Sequence, residues 1–330
     1  MKMKFLINKF KTIFNFYNYF FHKKKFPYGV SFALTYKCNF RCLYCGIWNS
    51  FYDEKELSLE NIKRIILDIH NAGCKRIIFT GGEPLLRKDI YEILYFAREL
   101  NLHITLNTNG SLLTQNQLIF KLINQLVISL DGNTETQLKM RPPGLFDNIA
   151  ESIYLAKKHK IKIWLTAVLT NENISEIDFL INFAEKNNVF LDIESLSDRL
   201  IASKNVEKFR LCNSDLILFA EKLKKIKEER NYPSISNSVL KHISQLNKLD
   251  NNFYCLAGKI FFYIDPFGNI FPCPERTEIN NINLNHHSLV DCLNSVKTPK
   301  CNKCYCNSVY EANQIFRGNL ESLLKIINYL

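Results

Sequence analysis

No run in this 330-residue chain approaches the ~18 uninterrupted apolar residues a membrane span needs, and the one hydrophobic amino-terminal stretch carries lysines and asparagines with no small-residue cleavage site after it. The expectation is a protein that neither spans a membrane nor is secreted. No Gly-x-Gly-x-x-Gly follows the first strand-like run, which argues against a dinucleotide-binding sheet. Polar excess is lacking too: 47% of the residues are apolar and 23% charged, a balance that buries a core and excludes wholesale disorder. Cysteine is plentiful, at 11 residues, yet far below the ~8–10% of a disulfide scaffold. In a reducing compartment such thiols are metal ligands or bystanders.

Acidic residues are missing from residues 1–28, which hold Lys2, Lys4, Lys9, Lys11, Lys23, Lys24 and Lys25. The segment contributes +7 of the formal +11, leaving the body mildly basic at +4. It also carries Phe5, Phe10, Phe14, Phe16, Tyr17, Tyr19, Phe20 and Phe21. A basic aromatic helix either lies in the interface of an anionic membrane surface or packs its rings on the body and solvates its lysines. The expected location is cytoplasmic, with peripheral attachment at the inner face of the membrane on the first reading. No nucleic acid is expected, because the excess charge sits in one arm with no binding module behind it.

From residue 29 to 194, β-branched runs alternate with helical periods. Val30–Thr35, Arg76–Thr80, His103–Leu106, Leu126–Leu130, Lys162–Leu169 and Val189–Ile193 read as strands. Ile62, Ile65, Ile66 and Ile69, then Ile90, Ile93, Leu94 and Ala97, fall at helical spacing. Thr114 with Gln117, and Asn173 with Glu176, read as helix starts. Six βα units imply a parallel α/β sheet, either open and doubly wound or curled into a partial or full barrel. Residues 195–250 read as a helical connector, and a small α+β module begins near 251 and runs to 330.

Cys38, Cys42 and Cys45 follow the first strand in Thr-Tyr-Lys-Cys-Asn-Phe-Arg-Cys-Leu-Tyr-Cys. Thiolates at these intervals let one loop wrap a metal centre from three sides, and soft sulfur selects zinc, copper(I) or iron–sulfur. A structural zinc site wants four ligands, and no fourth Cys or His lies in the loop. Three thiolates on a four-iron cluster leave one iron open to bind a small molecule.

This Cys-x-x-x-Cys-x-x-Cys, with Tyr44 before its last cysteine and Thr80-Gly81-Gly82-Glu83-Pro84 ending the second strand, resembles the radical S-adenosylmethionine (SAM) superfamily. The resemblance implies a partial (β/α)6 TIM-like barrel whose 4Fe–4S cluster, at the carboxyl ends of the strands, binds S-adenosylmethionine. Gly81, Gly82 and Glu83 would lie near its amino group and Tyr44 against its adenine. Asn107 and Ser129, ending the third and fourth strands, stand where the family makes ribose and carboxylate contacts. Arg141 could pair with a carboxylate, but reads first as a solvated loop residue. Electrons from a flavodoxin- or ferredoxin-type reductant would cleave the sulfonium to a 5′-deoxyadenosyl radical that takes hydrogen from a substrate.

Cys255 and Cys273 flank Asp265-Pro266-Phe267-Gly268 in a Cys-x12-Gly-x4-Cys pattern, which reads as a hairpin with a thiol at each outer end. Cys301 and Cys304 complete a closed set of four. The pattern resembles the auxiliary modules named SPASM and twitch, and the absence of cysteine after Cys306 implies one auxiliary 4Fe–4S cluster. Zinc in the same thiolates is the alternative, and Cys306 could replace Cys301 or Cys304. Substrates of relatives with such modules are peptides or small molecules such as sugars and aminocyclitols. Asp192 and Glu194, ending the sixth strand, are the acid–base candidates. A non-catalytic iron–sulfur or zinc protein, sensing redox state or carrying a cluster, is the competing reading.

Overall fold

The computed structural model describes residues 24–49, 55–197, 205–230, 232–233, 235–248, 254–278 and 282–322. The basic aromatic segment falls, through residue 23, outside them. Among the described residues, nine strands form one sheet in the order β6-β5-β4-β3-β2-β1-β7-β8-β9. Strands β1 (Gly29–Thr35), β2 (Arg76–Gly81), β3 (His103–Thr108), β4 (Gln125–Ser129), β5 (Lys162–Leu169) and β6 (Phe190–Ser195) pair in parallel, each with its sequence neighbour. β1 and β6 do not meet, so the barrel is partial.

Strand alternation decides which face carries chemistry. Ile77, Phe79, Ile104, Leu106, Leu126, Ile128, Leu165 and Ile193 belong to the main hydrophobic core. Helix α1 (Leu59–Asn71) adds Ile62, Ile65, Ile66 and Ile69, each fully buried and each stabilising the fold by roughly 1.5–3 kcal/mol. Ser58 caps α1 by accepting from the Asn61 N–H. Helices α2 (Ile90–Glu99), α3 (Thr134–Met140), α4 (Phe146–Lys158) and α5 (Ile177–Lys186) follow in the crossovers. The intervening positions Asn107, Ser129, Asp192 and Glu194 share the opposite, half-buried face: Asn107 pairs with Val127, Ser129 with Thr166, and Thr166 with Asp192.

Two helix starts read from the sequence take other forms. Thr114 and Gln117 open no α-helix; a 3-10 turn, Gln117–Lys121, stands there, with the Gln117 side chain bonded to the Thr114 carbonyl. Asn173 precedes a 3-10 turn, Ile174–Glu176, and spends its amide on Thr170, Val168 and Asp131, so α5 begins four residues later.

Beyond the barrel come α6 (Asn213–Arg230) and α7 (Asn237–Ser244), then the hairpin of β7 (Phe261–Ile264) and β8 (Asn269–Phe271), the short β9 (Ile282–Asn283), α8 (Leu289–Ser295) and α9 (Asn307–Phe316). β7 pairs in parallel with β1, so the carboxyl-terminal region extends the barrel sheet rather than forming a separate layer.

Candidate active site and thiol clusters

The loop leaving β1 is pinned from both sides. The Gly82 N–H donates to the Thr35 carbonyl at 2.7 Å and the Glu83 N–H to the Lys37 carbonyl at 2.8 Å. A Cβ on Gly81, whose φ is +130°, would meet the Thr35 oxygen at 2.1 Å, and one on Gly82 the Lys37 oxygen at 2.2 Å. The two glycines therefore let the end of β2 press on the chain that leads into Cys38. On the other side the Arg41 N–H donates to the Pro142 carbonyl at 2.9 Å and the Leu43 N–H to the Met140 carbonyl at 3.0 Å. Held this way, Cys38, Cys42 and Cys45 gather in one apolar cluster with Phe40, Tyr44, Met140, Leu196 and Val206. Burial pushes the Cys42 thiol up to about 12.

Glu83 is fully buried. Its carboxylate accepts from the Leu85 N–H at 3.0 Å, the Thr108 hydroxyl at 2.9 Å and the Asn109 N–H at 2.8 Å. Burial raises its pKa to about 7 against the pull of those donors. The carboxylate thus joins the ends of β2 and β3. Asn107 leaves a buried Oδ1 with no hydrogen-bond partner.

Tyr44 donates its hydroxyl to Asp131 at 2.6 Å, and burial raises the phenol. Arg141 reaches the same carboxylate at 2.7 Å through Nε, and its guanidinium carbon lies 5.4 Å from the Tyr44 ring centre. Asp131 also accepts from the Val168 N–H at 2.9 Å. Far from being solvated, Arg141 is 7% exposed and Asp131 is 0% exposed. Asp131 stands in an Asp-Gly dipeptide, ordinary turn chemistry that by itself signals no such role. The usable signal was the pairing of an acid and an arginine around one helix, α3.

Glu194 is turned away from open space. Its oxygens accept from the backbone N–H and hydroxyl of Ser308 at 3.2 and 2.6 Å and from the Asn307 N–H, which caps α9. Burial, then the neighbouring Asp192, pushes its pKa up to about 8. The Cys306 thiol donates to the same carboxylate at 3.7 Å.

Cys255, Cys273, Cys301 and Cys304 converge on one region. Burial raises the first two and Cys304, and each of the three also feels the negative charge of others in the set. A cavity of about 410 Å³, lined in part by Lys259, Lys300, Cys255 and Cys301, opens beside them. His242 bonds the Cys304 carbonyl at 2.7 Å while stacking on Tyr310. Among the described residues, no three Cys, His, Asp or Glu side chains close to the spacing of a single metal ion. No helix among them is long and apolar enough to cross a membrane.

Comparison with known proteins joins these observations. Fe-coproporphyrin III synthase of Methanosarcina barkeri is 31% identical over 175 residues, 51% of this chain and 43% of the relative. Mycofactocin maturase MftC of Mycobacterium tuberculosis is 26% identical over 259 residues, 75% of this chain and 64% of the relative. The chain thus spans less than two thirds of the length of either. The fold superposes on Streptococcus suis SuiB bound to precursor peptide SuiA with a TM-score of 0.69 at 18% identity, over 87% of this chain and 68% of that one. The radical SAM superfamily model matches residues 32–184, from within β1 to within α5. The chain therefore carries, over residues 32–184, a domain of the radical S-adenosylmethionine superfamily.

Proposed function

We propose that this protein is a radical SAM enzyme that holds a 4Fe–4S cluster on Cys38, Cys42 and Cys45 and binds S-adenosylmethionine beside it. The observation that carries this reading is the fixed loop: three thiols from eight residues, locked by backbone bonds from Gly82, Glu83, Arg41 and Leu43 at the carboxyl ends of the strands. The donor set fits a cluster, in which each thiolate meets a different iron, better than one ion. The unpartnered Asn107 oxygen and Ser129 supply polar contacts on the same strand face. When bound, the two cofactors supply one-electron cleavage of a sulfonium and hydrogen abstraction. Gly81 and Gly82 then set the approach to the amino group, while Glu83 acts through Thr108 and Asn109 rather than by an open carboxylate. Tyr44 and Arg141 hold the loop, and Asp192 is the remaining acid–base candidate, since Glu194 caps a helix.

Cys255, Cys273, Cys301 and Cys304 hold an auxiliary 4Fe–4S cluster, and a flavodoxin- or ferredoxin-type protein supplies electrons. Residues 1–28 either bind an anionic membrane surface or pack their rings on the body, as Phe26, buried beside Leu256 and Ile260, does at the end of the segment. The substrate is a peptide, a reading supported by the superposition on SuiB with its precursor peptide; a gene for a small peptide beside this one would favour it, and a sugar-nucleotide pathway would oppose it.

Anaerobic reconstitution tests the cofactors: about eight irons are expected, from three plus four thiolate ligands. Reduced protein should form 5′-deoxyadenosine slowly without substrate, and Cys42→Ala should abolish it. Binding of S-adenosylmethionine with no cleavage under strong reductant would mark a sensor instead. Stoichiometric zinc without labile sulfide would remove the auxiliary cluster.

A further inference from the structure

Arg276 touches two of the four carboxyl-terminal cysteines. It ends the 3-10 turn that starts just after Cys273, and its own N–H returns to the Cys273 carbonyl at 3.1 Å. Its Nε donates to the Cys301 sulfur at 3.2 Å, and its Nη1 is held by Glu278 at 2.6 Å. One arginine, through its backbone N–H and its guanidinium, thus ties the hairpin arm of the set to the Cys-x-x-Cys arm. The hydrogen bonds on Cys255 come from neutral groups, the Ala257 N–H at 3.4 Å and the Asn313 amide at 3.8 Å, with the Lys259 charge nearby. At the barrel mouth, Cys38 receives the Phe40 N–H at 3.4 Å and the Asn109 amide at 4.0 Å. The buried arginine there, Arg141, bonds Asp131, and its charge also reaches Cys42 and Cys45.

We propose that Arg276 is a positioning and tuning residue that raises the electron affinity of the auxiliary site. The inference rests on the reading that the four thiols hold an iron–sulfur cluster. Reduction adds one electron, taken from the external reductant, and part of that charge falls on the cysteine sulfurs. A cation that hydrogen-bonds one sulfur stabilises the reduced form more than the oxidised form, so the potential rises. No proton or heavy atom is transferred.

The test is an EPR-monitored potential titration of the full-length, reconstituted protein in three forms: wild type, Arg276→Gln and Arg276→Lys. Each is also titrated with Cys38, Cys42 and Cys45 changed to Ala, which isolates the auxiliary signal. Arg276→Gln keeps an amide donor but no charge and should retain iron while its midpoint falls by 59 mV or more, the one-electron equivalent of a tenfold loss in reduced form. Arg276→Lys keeps the charge without the planar fork and should fall less. An unmoved midpoint at full iron would overturn the proposal, and so would equal loss of iron in both variants, which would make Arg276 a purely structural strap. An absent iron–sulfur signal in the three-cysteine variant with Arg276 intact would instead sink the auxiliary-cluster reading beneath it.

Discussion

Cys38, Cys42 and Cys45 come from one stretch of eight residues, whereas Cys255, Cys273, Cys301 and Cys304 are spread over fifty. A loop so short has no shape of its own, and neighbours impose one: two glycines at the end of β2, the carbonyls of Met140 and Pro142 at the end of α3 and the buried Asp131–Arg141–Tyr44 group. The second set is shaped by its fold. The β7–β8 hairpin sits on β1, Arg276 joins two arms, and Glu194 fixes the start of α9 just past Cys304 and Cys306. The contrast separates their failures: the first site should collapse when one outside support is removed, the second only when the packing of its segments is loosened.

Asp131→Asn should give the largest effect. It leaves Arg141 buried without a counter-charge, and breaking a buried pair costs about 3–5 kcal/mol. Denaturant unfolding should show that loss. Iron counting should show about four irons remaining, those of the second site. Equal loss from both sites would erase the contrast between them.

Gly82→Ala comes next. Its Cβ would lie 2.2 Å from the Lys37 oxygen and 2.8 Å from the Tyr36 oxygen, backbone atoms with no rotamer to give way. A strain of ~1–3 kcal/mol is expected, relieved by moving the loop, so cofactor cleavage should fall further than stability does. Wild-type cleavage at wild-type stability would show that the close approach is not required.

How far the sequence revealed these sites follows from how each is held. Cysteine spacing and Gly81 to Pro84 are local patterns, so the candidate ligands and their place at strand ends were readable. The resemblance put Asn107 and Ser129, and position put Asp192, at strand ends, and the register sets the three on one face. What was not readable depends on partners distant in the chain. Glu83 was placed near the amino group of the cofactor, and the bonds that Thr108 and Asn109 donate to its carboxylate were not foreseen. Glu194 was read as facing the barrel mouth, but a helix starting 113 residues later takes it. Arg141 was read as solvated, and only tertiary packing brings Asp131 onto it.

Glu194→Ala tests the second site. It removes the cap of α9, a loss of about 1 kcal/mol by analogy with other helix caps. The auxiliary iron should become easier to remove with a chelator while the first site keeps its iron. Parallel loss from both would show that the cap supports the whole sheet.

His103 provides a control remote from both sites, because it opens β3 at the end opposite Asn107. Burial, then Arg76 on β2 and more weakly Lys162 on β5, pushes its imidazole down to about 4 from the ordinary 6.5. Its Nδ1 is buried without a hydrogen-bond partner. The unfolded chain therefore binds a proton that the folded chain refuses across the interval from 6.5 to about 4. Stability attributable to this residue is complete above that interval and falls as acid is added through it. His103→Gln removes the titration, so urea midpoints of the two proteins should diverge from their neutral-pH relation as the pH drops below about 6.5, with the wild type losing more. Because the ring is only partly enclosed, solvent screens the effect and it should be the smallest of the four. Iron at both sites should be untouched at neutral pH. Identical acid sensitivity in the two proteins would show that the ring titrates as it does in the unfolded chain.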